Sequence, residues 1–224
     1  MKILPANYKI DVEATTLSLM KQKTMKDRLS FPITKQQAQD LLLSAYKAEV
    51  IYRHRTFRPT TETLESIAKL ADYLTNRTWK YGFMLCGRCG NGKSTLLKAF
   101  ELALYKLESE ELIEPTRNGM LIIHAKDICR KSHDFEEFRK IRSRTLLGIE
   151  DFGSEPSDVQ NFGNVYSPLV DLIEYRYEYQ LFTAITTNLT PGEIASKYDH
   201  RLADRLNEMM QVIAFRGDSF RIYP

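Results

Sequence analysis

The sequence predicts an α/β fold built on a parallel sheet, because apolar, strand-like segments alternate with longer helical segments from about residue 59 onward. The strand-like segments are continuous apolar runs, which is typical of parallel strands buried on both faces. The segments between them are long enough for the helices that parallel connections need. The predicted strands cover residues 81–86, 119–125, 145–150 and 181–187, and the predicted connecting helices cover residues 93–107, 126–141 and 167–179.

The N-terminal quarter of the chain has a different pattern. Residues 1–58 are predicted to form a small helical or adaptor region, and residues 59–224 the α/β domain. Thr34 is suited to cap a helix in which apolar residues recur at helical spacing. Pro59 ends that pattern, and Thr61 can cap a second helix.

Composition narrows the class of protein only slightly. Lys and Arg outnumber Asp and Glu by 32 to 29, and a net charge of +3 is too small to identify a nucleic-acid-binding protein. We find no signal peptide and no apolar run of about eighteen residues, so we expect a cytoplasmic protein without a membrane partner. Three cysteines do not make a disulfide framework, which agrees with a reducing compartment.

Two overlapping motifs compete for the segment FMLCGRCGNGKSTLL, residues 83–97. Cys86 and Cys89 form a Cys-x-x-Cys pair, which is typical of metal and redox sites, whereas Gly87–Ser94 reads G-x-x-x-x-G-K-S. The pair lacks the further cysteines or nearby histidines that a four-ligand zinc site needs. We therefore interpret Cys86 as a buried small apolar residue and Cys89 as a loop residue, with a redox role as the alternative.

The second motif predicts a site for a nucleoside triphosphate and Mg²⁺. Such a loop needs inward-facing backbone N–H groups, a lysine for the β- and γ-phosphates and a hydroxyl for the metal ion. A predicted strand ends at Cys86 and a predicted helix begins at Lys93, so the helix N-terminus also faces the anion. We expect Lys93 on a solvent-facing loop and Ser94 as a metal ligand. The predicted nucleotide-binding residues are Gly87, Arg88, Cys89, Gly90, Asn91, Gly92, Lys93, Ser94 and Thr95.

Polar residues follow two other predicted strands. Glu150 and Asp151 stand at the carboxyl end of the third strand, where ligands bind in open α/β sheets. Glu150 would help to hold Mg²⁺ through water, and Asp151 can orient an attacking water, although two acids at a loop can also act as caps. Asn188 follows a threonine-rich strand, where an amide can contact the lytic water or the γ-phosphate, or can simply form a turn.

Arginines are concentrated in the C-terminal segment, at Arg201, Arg205, Arg216 and Arg221. Most surface arginines are only solvated, yet one at a subunit edge could complete a neighbouring active site. The basic run at residues 139–144 could follow the phosphates of DNA, although a solvated helix end also explains it.

Five segments, taken in chain order, resemble the AAA+ ATPases of the DnaC/DnaI helicase-loader and IstB transposition-helper group, over roughly residues 60–224. They are GRCGNGKS, LLGIEDFGSEP, TTNLT, RLADRL and GDSFR. The resemblance implies a P-loop NTPase of AAA+ type with a small N-terminal helical appendage, with ATP and Mg²⁺ as cofactors. The implied roles are Walker A at Gly87–Ser94, Walker B at Glu150 and Asp151, sensor 1 at Asn188, the arginine finger at Arg205, and a sensor-2-like arginine at Arg221.

Two details of the resemblance stay open. Arg201, one helical turn before Arg205, is a competing candidate for the arginine finger. The family usually has Asp at the first Walker B position, and Glu150 is one methylene longer. Because the longer side chain can shift the metal-bound water, we expect ATP binding but a low rate of hydrolysis.

Three functions are compatible with these residues. The first is a helicase loader that self-associates through ATP-bridged interfaces and acts on single-stranded DNA and a replicative helicase. The second is a transposition helper ATPase that assembles on duplex DNA with a transposase. The third, from a different class, is a P-loop kinase for a small molecule, which would need an acceptor pocket and an arginine-bearing lid. A purely structural adaptor is the remaining alternative.

Overall fold

The computed structural model describes residues 9–22, 28–76, 78–115, 119–156, 159–161, 164–217 and 219–220. Arg221 lies outside these residues. The strands are β1 (Gly82–Gly87), β2 (Leu121–His124), β3 (Leu146–Phe152), β4 (Val159–Asn161), β5 (Asn164–Tyr166), β6 (Phe182–Thr187) and β7 (Met210–Phe215). The helices are α1 (Val12–Gln22), α2 (Lys35–Tyr52), α3 (Thr61–Thr75), α4 (Lys93–Ser109), α5 (Ala125–Lys131), α6 (Phe135–Arg142), α7 (Pro168–Glu178), α8 (Pro191–Lys197) and α9 (His200–Met209).

Within the described residues, five strands form one parallel sheet in the order β2-β3-β6-β1-β7, and β4 and β5 form a separate antiparallel pair. The four predicted strands correspond to β1, β2, β3 and β6, so the predicted α/β fold is confirmed. Because β6 lies between β1 and β3, the carboxyl ends of these three strands lie side by side. The segments that follow them are therefore brought to the same edge of the sheet.

Helices cover both faces of the sheet. Phe83 and Leu85 of β1 point into an apolar core with α2, α3 and α4, and Phe83 meets Phe100 of α4 edge to face at 5.0 Å between ring centroids. Met84 and Cys86, the alternate residues of β1, point into a second core with α5, α6, α7 and α9. Burial on both faces explains why the strands are continuous apolar runs in the sequence.

The N-terminal helices differ from the prediction in one detail. Thr34 caps α2 as predicted, in a capping box with Gln37. The cap of α3 is Thr60 and not Thr61, because the Thr60 hydroxyl accepts a hydrogen bond from the backbone N–H of Thr63. Helix α2 packs into the same core as α4, and the proposed domain boundary at residue 58 stays a prediction.

The predicted helix over residues 126–141 is two helices, α5 and α6. The chain turns at Ser132, and Asp134 begins the second helix by accepting a hydrogen bond from the backbone N–H of Glu137 at 3.0 Å. Within the described part of the chain, no helix is both long enough and apolar enough to span a membrane.

Candidate functional site

The loop between β1 and α4 contains glycines that its shape requires. Gly87 and Gly92 have φ angles of 154° and 99°, in the region that favours glycine. A Cβ atom at Gly87 would lie 2.4 Å from the carbonyl oxygen of Phe215, and one at Gly92 would lie 2.3 Å from the hydroxyl of Tyr46. Gly92 is the N-cap of α4 and makes no side-chain capping hydrogen bond, and the N-terminus of a helix favours a bound anion.

Lys93, the first residue of α4, is not on a solvent-facing loop as predicted; it is 5% exposed. Its Nζ donates hydrogen bonds to the carbonyl oxygens of Gly87 and Arg88, both at 2.7 Å, because the loop curves around the ammonium group. It also donates to Oδ1 of Asn91 at 3.2 Å and to Oδ1 of Asn188 at 2.9 Å. The ammonium group is therefore enclosed by oxygen atoms at the point where the motif places phosphates.

The buried side chain of Asn91 fixes the loop to the sheet. Its Nδ2 donates to the carbonyl oxygen of Phe215 in β7 at 3.1 Å. The backbone N–H of Phe220 also donates to the carbonyl oxygen of Gly90, at 3.0 Å. The loop is thus held from the end of β7 as well as from β1 and α4.

The two acids of β3 lie in an irregular part of the strand. The register between β3 and β6 shifts between Ile149 and Phe152, and Asp151 has a φ of 51°, in the left-handed region. Glu150 and Asp151 therefore stand at the carboxyl end of β3, as predicted, but at a bulge within it. Glu150 pairs in register with His124 at the end of β2.

Two threonines of β6 hold this bulge in place. The hydroxyl of Thr186 accepts a hydrogen bond from the backbone N–H of Asp151 at 3.0 Å. The hydroxyl of Thr187 donates to the carbonyl oxygen of Phe152 at 2.6 Å. The sequence shows a threonine-rich strand but not the role of its threonines, because their partners depend on the register between β3 and β6.

His124 is a site residue that was not predicted from the sequence. Its Nδ1 accepts a hydrogen bond from the backbone N–H of Lys126 at 3.1 Å, so the proton of a neutral ring is on Nε2. That Nε2 lies 3.3 Å from Oδ2 of Asp151. The imidazole can therefore orient the carboxylate of Asp151. The available signal was a histidine next to the last residue of a predicted strand.

The loop after β3 is fastened to α8. Glu155 is 2% exposed, and its carboxylate accepts hydrogen bonds from the backbone N–H of Gly153 and from the hydroxyl of Tyr198. The ammonium group of Lys197 donates to the carbonyl oxygens of Gly153, at 2.7 Å, and Glu155, at 2.5 Å. Burial raises the pKa of the Glu155 carboxyl above its ordinary value.

Arg201 and Arg205 both lie on α9, and both approach the same carboxylate of α7. Arg205 forms an ion pair with Glu174, stacks over the ring of Tyr177 at 5.3 Å, and has a side chain that is 18% exposed. Nε of Arg201 lies 3.7 Å from Oε1 of Glu174, and its side chain is 71% exposed. The contacts of these two arginines are with α7 and not with the loop before α4.

The basic run at residues 139–144 lies at the amino end of β3, which is the opposite end of the parallel sheet from the loop before α4, because it precedes the first residue of β3. Arg139 pairs with Glu136 on its own helix at 2.7 Å. Arg142 stacks over the ring of Tyr175 at 4.6 Å. Part of the positive charge of this run is therefore already engaged within the chain.

The two cysteines of the overlapping motif differ in their surroundings. Cys86 is buried in the core, as predicted, and burial raises the pKa of its thiol to about 11. Cys89 is exposed on the loop. Because a thiol with a raised pKa is a poor nucleophile and a poor metal ligand at neutral pH, the environment of Cys86 does not favour a metal or redox site.

The arrangement fits a phosphate chain with a divalent cation. The close approaches at Gly87 and Gly92 leave room only for backbone, as a phosphate-binding loop requires. The hydroxyl of Ser94 and the carboxylate of Glu150 are the oxygen ligands that Mg²⁺ prefers, and Ser94 is in the first turn of α4.

The solved structures that are similar to this chain include the following three. The DnaC helicase loader has a TM-score of 0.57 and 20% identity, and the match covers 76% of this chain and 98% of that one. DnaI has a TM-score of 0.52 and 19% identity, over 71% of this chain and 87% of that one. The replication initiator DnaA bound to AMPPCP and single-stranded DNA has a TM-score of 0.51 and 17% identity, over 72% of this chain and 49% of that one.

No protein-family model matches the chain, and no curated protein matches it. At identities of 17–20% the structural similarity establishes the fold alone, a five-stranded parallel sheet flanked by helices that this chain shares with DnaC, DnaI and DnaA. The fold class that the sequence predicted is therefore confirmed.

Proposed function

We propose that this protein binds ATP and Mg²⁺, hydrolyses ATP slowly, and acts in DNA replication as a helicase loader of the DnaC type. The observation that supports this most directly is the contact of Lys93 with the loop after β1 and with the end of β6. The loop after β1 encloses its ammonium group, and Asn188 at the end of β6 accepts a hydrogen bond from it. Asp151 lies at the end of β3, the strand that pairs with β6, and its backbone N–H donates to Thr186 of β6.

Each of these residues has a defined part in the proposed reaction. Lys93 exchanges the carbonyl oxygens of Gly87 and Arg88 for phosphate oxygens, which compete for the same ammonium group. That exchange also releases Oδ1 of Asn188, which becomes available to the lytic water. Asp151, oriented by His124, accepts the proton of that water.

The cation would be held by Ser94 and Glu150, and when bound it would neutralise charge on the phosphates. The longer side chain of Glu150 supports a slow reaction, in which ATP binding acts more as a switch than as a source of rapid turnover. An arginine from an adjacent subunit would complete the site, so the proposal includes self-association through ATP-bridged interfaces.

The partners follow from the same proposal. The structure of DnaC is described as a helicase loader, and that of DnaA contains single-stranded DNA. We propose a replicative helicase and single-stranded DNA as the partners of this chain, in the cytoplasm. The similarity in fold to DnaC over 98% of that chain supports this choice.

A product assay tests the proposed activity against the kinase alternative. Purified protein with labelled ATP, Mg²⁺ and single-stranded DNA should release inorganic phosphate, and Lys93→Ala should not. Transfer of the label to an acceptor, without phosphate release, would support a kinase. A pull-down from the source organism with ATP and Mg²⁺ should recover a replicative helicase; recovery of a transposase instead would contradict the loader assignment.

A further inference from the structure

Arg53, at the C-terminal end of α2, reaches the first turn of α4. Its Nη1 donates a hydrogen bond to the hydroxyl of Thr95 at 3.3 Å. Thr95 is the third residue of α4, next to Ser94, and is almost completely buried. An arginine from the N-terminal region is thus in contact with the helix end at which the proposed nucleotide binds.

The guanidinium group is held in a fixed orientation. Its Nε and Nη2 both donate to Oε1 of Glu49, at 3.0 and 2.6 Å, and the Glu49 side chain is only 12% exposed. Because the guanidinium is planar, this pairing directs the remaining edge of the fork toward Thr95. Glu49 therefore acts as a positioning residue for Arg53.

Tyr46 of α2 also lies beside the N-terminus of α4. Its hydroxyl is so close to Gly92 that a Cβ atom there would be 2.3 Å away. Burial raises the pKa of Tyr46 to about 12, and the charge of Arg53 and the hydroxyl of Thr95 oppose that rise. Tyr46, Arg53 and Thr95 thus form one polar cluster on the outer side of the loop.

Lys93 and Arg53 lie on different sides of the α4 terminus. Thr95 is two positions after Lys93, which on an α-helix is a rotation of about 200°. The lysine of such a loop contacts the β- and γ-phosphates, and the backbone N–H groups of the loop and first turn contact the α- and β-phosphates. The side of Thr95 therefore corresponds to the α-phosphate end of the chain of phosphates.

We propose that Arg53 binds the α-phosphate of the nucleotide, exchanging the Thr95 hydroxyl for a phosphate oxygen. This deepens the proposed function and rests on it. The ligand class is a nucleoside di- or triphosphate, since both carry the α-phosphate. Because Arg53 lies at the C-terminal end of α2, a nucleotide bound to Arg53 is in direct contact with the N-terminal region.

The test is calorimetry with Mg²⁺ and two probes, ADP and the β,γ-methylene analogue of ATP. Arg53→Ala should weaken both by a similar factor, about tenfold or more for the loss of a hydrogen bond to a charged group. Arg53→Lys should lose most of the same affinity, because it keeps the charge but not the fork. Arg55→Ala, at an exposed arginine two positions after Arg53, is the matched control and should bind both probes like the wild type.

The outcomes separate this inference from the proposed function. If the wild type and Arg55→Ala bind both probes and Arg53→Ala binds them equally well, Arg53 only joins α2 to α4 and the inference is wrong. A loss confined to the ATP analogue would also overturn it, since that result places Arg53 at the γ-phosphate. If the wild type binds neither probe, the proposed function itself fails. The melting temperature without nucleotide, measured for each variant, detects a purely structural role.

Discussion

The Nζ of Lys93 lies 2.9 Å from Oδ1 of Asn188, although 95 positions separate the two residues in the sequence. The contact joins the start of α4 to the end of β6, which are adjacent because β1 and β6 pair in parallel. Since a phosphate group would compete for the same ammonium group, the proposed binding of ATP and the release of Asn188 are one event.

Lys93→Ala should abolish nucleotide binding and also lower stability. The oxygens of Gly87 and Arg88 would lose a buried donor, which is expected to reduce the free energy of unfolding by about 1–3 kcal/mol. Calorimetry with a non-hydrolysable ATP analogue measures the first effect and denaturant unfolding the second. Unchanged affinity would refute the Walker A assignment.

Asp151→Asn should bind ATP but not hydrolyse it, because an amide keeps the size of the carboxylate but cannot accept the proton of water. Glu150→Gln should also weaken the binding of Mg²⁺ at the site, because it removes a charged metal ligand. Both effects are measured by steady-state phosphate release over a series of Mg²⁺ concentrations. Hydrolysis at the wild-type rate by Asp151→Asn would show that the roles of the two acids are assigned wrongly.

Arg205→Ala should bind ATP normally and hydrolyse it about 10³-fold or more slowly, the usual contribution of an arginine finger. Mixing this variant with Lys93→Ala should restore part of the activity, with a maximum at intermediate ratios. One interface then combines the intact loop of the first variant with the intact arginine of the second. The measurement is phosphate release at a fixed total protein concentration with DNA present.

Arg201→Ala in the same mixing assay decides between the two arginines. The side chain of an arginine finger must reach the ATP of the adjacent subunit. Arg201 is already exposed, whereas Arg205 must first separate from Glu174. Rescue of Arg201→Ala together with normal hydrolysis by Arg205→Ala would transfer the assignment to Arg201. No rescue of either variant, with a specific activity independent of protein concentration, would indicate a monomeric enzyme.

Glu155 should make stability depend on pH. Its carboxyl has a pKa raised by burial above the ordinary value of 4.5, so the folded state binds the proton more tightly than the unfolded state. The contribution of the protonated carboxyl to the stability of the fold is fully present below pH 4.5, and it is lost as pH rises through the raised pKa. Glu155→Gln, which imitates the protonated carboxyl, should remove this loss.

Denaturant unfolding of the wild type and Glu155→Gln, from about pH 4 to about pH 8, measures the difference between the two proteins. The variant should gain stability relative to the wild type as pH rises. A difference that is constant over this range would show that Glu155 has the same pKa in both states.

The parts of the fold that could be predicted are those that depend on the pattern of neighbouring residues in the sequence. Continuous apolar runs predicted four strands of the sheet, and the spacing of Gly87, Gly92 and Lys93 predicted the loop. The break between α5 and α6 was also local, at Asp134, but the apolar spacing on either side obscured it. The alternation of strands and helices was sufficient to predict the parallel sheet.

The parts that could not be predicted depend on pairing between distant segments. The contact of His124 with Asp151 exists because β2 and β3 pair in a register that places His124 opposite Glu150. The burial of Lys93 depends on which carbonyl oxygens curve around it, and residue spacing does not specify that. Arg53 was assigned no role because the sequence does not show that α2 packs on α4.

The packing of α2 on α4 limits where recombination can replace the N-terminal segment of this chain with that of another protein. Leu42 and Tyr46 of α2 are buried in the core that also contains Leu97 and Phe100 of α4. A recombination event at residue 58 would pair a foreign α2 with this core, and mismatched side-chain volumes would be costly there. Recombination upstream of Arg28 would keep the described contacts of Leu29, which packs against this core, and of Phe31, which is buried against Phe100. A point of exchange that keeps α2 with this core therefore lies before Arg28 and not at residue 58.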